Sequence, residues 1–290
     1  MFRYMSLLFN IFKKAAYTLR GRHLNRFHLV RIALNFLLSN LKPDFVIVDG
    51  NRMFLDKGDS MRLSILGIYE PLAVKNFQES VQAGDVVLDI GAHIGYYTLM
   101  AAKRVGKKGK VYAFEPNDDN SALLTKNLKI NGYKNVTVIN KAIAESTKKV
   151  KLFLSRVSTG MHSLIDIDND AEFSMLVNTV SIDDFFGKNP PRISAIKMDI
   201  EGGEFAALEG MTRILTKNKH ISILTEFSPF SMKMAKKSPL GFLKLLKSYG
   251  FNLYSIDEVC KSTLPINNLQ TFLLTCPVDR DWHINLLAVK

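Results

Sequence analysis

From residue 85 onward, short apolar runs alternate with longer stretches of helical spacing. VVLDI is a five-residue run carrying an acid at its end, and it reads as a strand covered on both faces. GYYTLMAAKRV reads as a helix, KVYAFEP as a second strand, NSALLTKNLKING as a helix closed by Gly132, and NVTVINKAI as a third strand. ISAIKMDI, HISILTEF, FNLYSI and TFLLTC read as four more strands, with helices over about 203–217 and 239–249. This alternation predicts an α/β fold: an open, doubly wound, mostly parallel sheet with helices on both faces. An insertion over about 148–182 separates the third and fourth strands. Within it, VKLFLS and LVNTVSI read as extra strands around a polar loop.

Upstream the pattern differs. FVIVDG, NRMFLD and SMRLSIL are short and rich in β-formers, and DGN between the first two is a hairpin signal. A helix is expected over about 70–82. Before Pro43, two apolar-rich helical stretches (about 2–19 and 24–41) flank Gly21, with Arg and Lys interleaved. The chain thus divides into a basic amphipathic arm (1–43), a small β-element with a helix (44–84) and the main domain (85–290). A basic amphipathic helix suits a membrane interface. A helical cap on the body has the same periodicity, and an Arg-rich, acid-free targeting segment is a third reading.

Composition narrows the classes. Hydrophobic residues at 47% and charged residues at 23% exclude wholesale disorder. Two cysteines, Cys260 and Cys276, exclude a disulfide scaffold and fit a reducing compartment. No run of 18 uncharged apolar residues suggests a spanning helix. The net charge is +12, and residues 1–43 hold eight basic residues and no acid. That asymmetry points to an anionic partner for the arm, a membrane surface or, less well, a nucleic acid, since no RNA-binding signature is present. The expected location is cytoplasmic, with the arm at the inner face of a membrane.

The chemistry centres on VVLDIGAHIGYYT, residues 86–98. Asp89, Gly91 and Gly95 fall between a strand and a helix, where a ligand can approach the backbone and helix amides are unpaired. Glu115 ends the next strand 20 residues after Gly95, the place of a carboxylate that accepts both hydroxyls of a ribose. The glycine spacing is GxxxG rather than GxGxxG, which argues against a dinucleotide. A second stretch, AIKMDIEGGEFAALEGM, puts Lys197, Asp199, Glu201 and Glu204 at a strand end and helix start. Glu226 ends HISILTEF and faces the same crevice. Acids also favour a helix N-terminus by about 0.3–1 kcal/mol each, which accounts for Glu204 better than for Asp199.

YEP (69–71), GDVVLDIGAHIGYYT, AFEP, NTVSIDDF and IKMDIEGGEFAALEG occur in this order and spacing. Together, over about residues 65–230, they resemble the FkbM-type family of S-adenosylmethionine (SAM)-dependent methyltransferases. The resemblance implies a Rossmann-like class I methyltransferase sheet of seven strands, the last antiparallel, with SAM as cofactor. It implies that Gly91 and Gly95 line the methionine moiety, that Glu115 holds the ribose, and that Glu70, Asp89, His93, Asn140 and Asp199 complete the cofactor site. His93 stands where Asn is also usual. Several family members methylate hydroxyls of sugars or polyketide-type products, so O-methylation of a sugar, glycan or glycolipid acceptor is expected.

The catalytic candidates are Asp199, Glu201 and Glu226, which would lie near the sulfonium; His162 is a weaker base. The same carboxylates could alternatively hold a divalent metal as hard oxygen ligands. No HxxxH or CxxC spacing supports a tight transition-metal site, and no metal is assigned. The acceptor pocket is expected from residues 155–180, including Ser158, Thr159, His162 and Ser163. The rival readings are an RNA methyltransferase, a non-catalytic SAM-fold protein at a membrane and, last, an NAD-dependent oxidoreductase.

Overall fold

The computed structural model describes residues 42–156, 158–167, 170 and 172–290. The arm expected over 1–43 lies outside the described residues except for its last two. The described chain opens with a hairpin, β1 (Phe45–Val48) and β2 (Asn51–Phe54), turning at Asp49–Gly50, as the DGN signal predicts. Helices α1 (Leu63–Leu66) and α2 (Pro71–Ser80) follow. The main alternation is β3 (Val86–Ile90), α3 (Tyr96–Val105), β4 (Lys110–Phe114), α4 (Asp118–Ile130) and β5 (Val136–Ile139). The insertion carries β6 (Ala142–Ile143), β7 (Lys149–Phe153), β8 (Ser174–Val180) and α5 (Ile182–Phe186). Next come β9 (Ala195–Met198), α6 (Glu204–Glu209), α7 (Thr212–Lys217), β10 (Ser222–Phe227), α8 (Pro229–Met234) and α9 (Pro239–Ser248). The chain closes with β11 (Asn252–Asp257), β12 (Ser262–Pro265), α10 (Leu269–Leu274) and β13 (Ile284–Val289).

The main sheet has the order β12-β11-β13-β10-β9-β3-β4-β5. Strands β5, β4, β3, β9 and β10 pair in parallel, and β13 runs antiparallel between β10 and β11. The doubly wound expectation holds, with two corrections. The sheet has eight strands rather than seven, because β12 adds a hairpin at the edge. TFLLTC is helix α10, not a strand: Asn268 caps it, its side chain accepting from the amides of Gln270 and Thr271 at 3.0 Å. The antiparallel strand is instead INLLAV, β13.

Two smaller expectations also change. SMRLSIL contains α1, because the Asp59 carboxylate accepts from the amides of Leu63 and Ser64 and stabilises a helical turn there. NVTVINKAI splits: β5 stays in the main sheet, while β6 leaves to pair with β8 in a three-stranded sheet of order β6-β8-β7.

Both faces of the main sheet are covered, so its strands read as unbroken apolar runs. Leu88 and Ile90 of β3 point into one core with Met198, Leu208, Ile214 and Phe242. Val87, on the opposite face of the strand, points into the other with Met53, Phe77, Leu99 and Leu124. The hairpin and α2 belong to this second core. Asn127 ties the hairpin down, donating to Phe54 O at 3.1 Å and to Ile94 O at 2.8 Å.

Candidate active site

The strand order reverses between β3 and β9, and the carboxyl ends of these two strands open into a cleft. Gly91 leaves β3 with φ 82°, and a Cβ added there would lie 1.9 Å from the backbone oxygen of Asp199. Only glycine lets the two strand ends close this far. The turn continues through His93 in the left-handed region, φ 50°, which aims its amide at Glu115 Oε2, 2.8 Å away. The amide of Asn117 and the side-chain amide of Asn120 donate to Glu115 Oε1 at 3.0 and 3.4 Å. Burial raises the Glu115 carboxyl to about 7, against these three donors.

Gly95 caps α3 and is buried against Leu124, whose Cδ1 would lie 2.5 Å from an added Cβ. It serves helix packing rather than lining the cleft. Asp89 is fully buried; the Thr98 hydroxyl donates to it, and burial raises it to about 6. Lys197, also fully buried, ion-pairs through Nζ with Asp199 Oδ2 at 3.1 Å. Burial works against its charge, but Asp199 and Glu70 outweigh that and hold the ammonium above its ordinary value. Glu70 stands at the cap of α2, 3.5 Å from the Tyr97 hydroxyl, raised by burial and lowered in turn by Lys197.

The acids expected to be catalytic do come together. Met198 of β9 pairs with Thr225 of β10, so Asp199 and Glu226 are the next residues on adjacent parallel strands. Glu201 follows two residues on, with φ 52°. One carboxylate oxygen from each of Asp199, Glu201 and Glu226 lies within 4.8 Å of the others. Burial, then the neighbouring Asp199, raise Glu201 to about 8. Burial, then Glu201 and Asp199, push Glu226 well above the ordinary carboxylate range. Glu204 has a separate role: its Oε1 accepts from the amides of Ile200 and Gly202, holding the turn itself.

The cleft has a volume of about 610 Å³ and is walled by Asp89, Gly91, His93, Lys197, Asp199, Glu201 and Glu226. Ser158, Thr159 and Met161 of the insertion form its far side. A narrower recess of about 40 Å³ adjoins it, floored by Phe114 and Glu115 and lined by Lys141, Ala142, His162 and Leu164. Ser163 donates to the backbone oxygen of Glu201 at 2.7 Å. Asn140 is not brought to the site: it is exposed, one residue before the Lys141 that lines the recess.

Three contributors escape sequence reasoning. Asn120 sits in PNDDN, where Asn117 indeed caps α4, and the cap signal hides the contact of Asn120 with Glu115. Thr98 is one more small residue of a helix. Asp56 lies in a turn-like DKGD run, yet Thr159 bridges it to the site. The Thr159 hydroxyl donates to Asp56 Oδ2 at 3.1 Å and lies 2.8 Å from His93 Nε2. Its one proton is committed to Asp56, so His93 donates, carrying its proton on Nε2. Burial pushes this imidazole down to about 4, which keeps it neutral.

Among curated proteins, the chain is 29% identical over 139 residues to hexuronic acid methyltransferase AglP of Haloferax volcanii, covering 47% of this chain and 54% of that protein. It is 45% identical over 56 residues to a protein-L-isoaspartate O-methyltransferase of Methanosarcina mazei, covering 19% and 23%. The chain therefore spans about half the length of the first and under a quarter of the second. A SAM-dependent methyltransferase structure from Aquifex aeolicus aligns with TM-score 0.42 and 15% identity, over 80% of this chain and 98% of that one.

The described residues fit SAM as cofactor. The buried carboxylate of Glu115 follows β4 and lines a recess, and the adjoining cleft is lined by Asp199, Glu201 and Glu226. The family model described as the methyltransferase FkbM domain matches residues 89–253, more than half of the chain, and the chain belongs to that family.

Proposed function

We propose that this protein transfers a methyl group from SAM to a hydroxyl of a sugar, glycan or glycolipid. The observation that carries the reading is a cleft that holds the trio of Asp199, Glu201 and Glu226, adjoined by a recess lined by Glu115, with Gly91, His93 and Asp199 lining both. The sugar assignment draws support from the relative named for methylating hexuronic acid, and from Ser158 and Thr159 in the cleft wall.

When bound, SAM supplies an electrophilic methyl on a sulfonium that is already a good leaving group. The protein's work is then alignment and proton removal. Glu115, its carboxylate held in place by the amides of His93 and Asn117, would accept hydrogen bonds from the ribose hydroxyls. Fixing both reactants in one cleft supplies several kcal/mol of the barrier. A carboxylate oxygen of the trio would take the acceptor's hydroxyl proton as that oxygen bonds the methyl carbon and the carbon–sulfur bond breaks, with neutral S-adenosylhomocysteine as the leaving group. The basic arm, residues 1–43, would hold the enzyme at an anionic cytoplasmic surface where lipid-linked acceptors are presented.

The test is transfer of labelled methyl from SAM to three panels: free sugars, lipid-linked glycans and RNA. Label in a glycan fraction, lost in Glu226→Gln, is the expected result. Label in RNA alone would replace the sugar reading, and no transfer to any panel by SAM-bound protein would favour a non-catalytic SAM-fold protein.

A further inference from the structure

We infer that Asp199, Glu201 and Glu226 form a binding site for a hard divalent cation of the Mg²⁺ or Ca²⁺ type, next to the methyl-transfer position. Its part in methyl transfer rests on the function proposed above; its existence as a site rests on geometry alone.

Oxygens on opposite sides of a cation lie twice the metal–oxygen distance apart, about 4.0–4.2 Å for Mg²⁺ and 4.6–5.2 Å for Ca²⁺. The three carboxylate oxygens here lie within 4.8 Å of one another, inside the Ca²⁺ span and a few tenths of an ångström above the Mg²⁺ span, so small side-chain shifts bring all three onto one ion. They converge from two parallel strand ends, Asp199 and Glu201 after β9 and Glu226 on β10.

An independent observation comes from Glu226. It is 9% exposed and lies on a different strand from the other two acids. Among the described residues, no hydrogen bond or ion pair reaches its carboxylate, yet that carboxylate is aimed at the other two. Burying an ionised group without a partner costs several kcal/mol, so such a carboxyl either holds its proton or gives it up to a pair or a metal. Lys197, the cation that acts on Glu226, is engaged by Asp199 at 3.1 Å. Glu70 acts on the same lysine.

Three protein oxygens leave about three positions of a six-coordinate ion open to water or ligand, as Mg²⁺ prefers. The open side faces the 610 Å³ cleft. Two adjacent hydroxyls of a sugar would fill two of those positions, placing one oxygen for attack. Each carboxylate also keeps a second oxygen, so the hydroxyl proton still leaves to the trio.

The experiment is calorimetric titration of the full chain, stripped with chelator, with Mg²⁺, Mn²⁺ and Ca²⁺ separately, before and after loading with S-adenosylhomocysteine. Electron paramagnetic resonance of Mn²⁺ serves as a second readout. One cation per chain is expected, bound at least tenfold more weakly by Glu226→Gln and Glu201→Gln. Glu226→Gln keeps side-chain shape and breaks no protein hydrogen bond, and retained S-adenosylhomocysteine binding certifies its fold. No saturable cation binding by wild-type protein that binds S-adenosylhomocysteine overturns the site and leaves the methyltransferase reading standing. Cation binding equal in wild type and both variants overturns it as well. Cation binding lost in the variants of a protein that ignores S-adenosylhomocysteine keeps the site and overturns the methyltransferase reading.

Discussion

Glu115 is held by three N–H donors and still raised to about 7 by burial, so its charge changes near neutral pH. Ribose hydroxyls donate, so the ionised carboxylate is the better partner. S-adenosylhomocysteine affinity should therefore rise from pH 6 to pH 8, and the slope should vanish in Glu115→Ala. That variant should bind about 10–100-fold more weakly, the loss of about one hydrogen bond to a charged group at about 1.5–3 kcal/mol. Calorimetry across the pH range checks both; equal affinities at pH 6 and 8 would contradict the ribose role. Gly91→Ala should cost about 2–5 kcal/mol of stability, overpacking added to left-handed strain, read from denaturant midpoints. A loss under about 0.5 kcal/mol would show that the strand ends can part. At this scale the sequence is most legible where chemistry and spacing coincide: Asp89, Gly91, Glu115 and Asp199 all reach the cleft. It misleads where a residue type has a commoner use. Asn120 reads as part of a cap, Gly95 reads as a ligand glycine but packs on Leu124, and Asn140 misses the recess by one residue.

Elements show why local pattern falls short. TFLLTC has a strand-like run, yet the Asn268 cap decides for helix α10, and INLLAV takes the antiparallel place beside β10. SMRLSIL likewise yields to the carboxylate of Asp59. Capping is a contact of one side chain with amides two to five residues on, and apolar periodicity does not record it. The loop after β7 depends on longer-range contacts still. Thr159 fastens it to Asp56 and His93, and Asn120 donates to Thr159 O at 3.0 Å. This loop lines the recess beside Glu115 through Thr159, Gly160 and His162. Thr159→Val should speed amide exchange across 158–163 and weaken S-adenosylhomocysteine binding about three- to tenfold, roughly one hydrogen bond at about 1 kcal/mol. Hydrogen exchange by mass spectrometry checks this; unchanged exchange would mean that the loop is held by other contacts.

Over the whole molecule, two cores on opposite faces of one sheet fix the strand ends that carry the acids. Function takes something back from that stability. Asp89 is raised from 3.8 to about 6 by burial. A carboxyl raised on folding lends its full stability below the unfolded value and loses it as pH climbs to the folded one. The stability difference between wild type and Asp89→Asn should therefore swing by about 2–3 kcal/mol toward the variant between pH 4 and pH 7. Urea titrations at both pH values test it, and a difference that does not move with pH would show Asp89 ionising freely. Charge asymmetry belongs to this scale too. With residues 1–43 acid-free, full-length protein should sediment with anionic vesicles and be released by salt. Equal partition onto neutral and anionic vesicles would rule out electrostatic docking.

The claim on which the rest depends is that this cleft binds SAM with its ribose on Glu115. The direct measurement is calorimetric titration of wild type and Glu115→Ala with S-adenosylhomocysteine, with NAD as control. One saturable site in wild type, weakened about 10–100-fold in the variant, and no heat from NAD, is the predicted result. Folded wild type that ignores S-adenosylhomocysteine, or a variant that binds it as well as wild type, would contradict it.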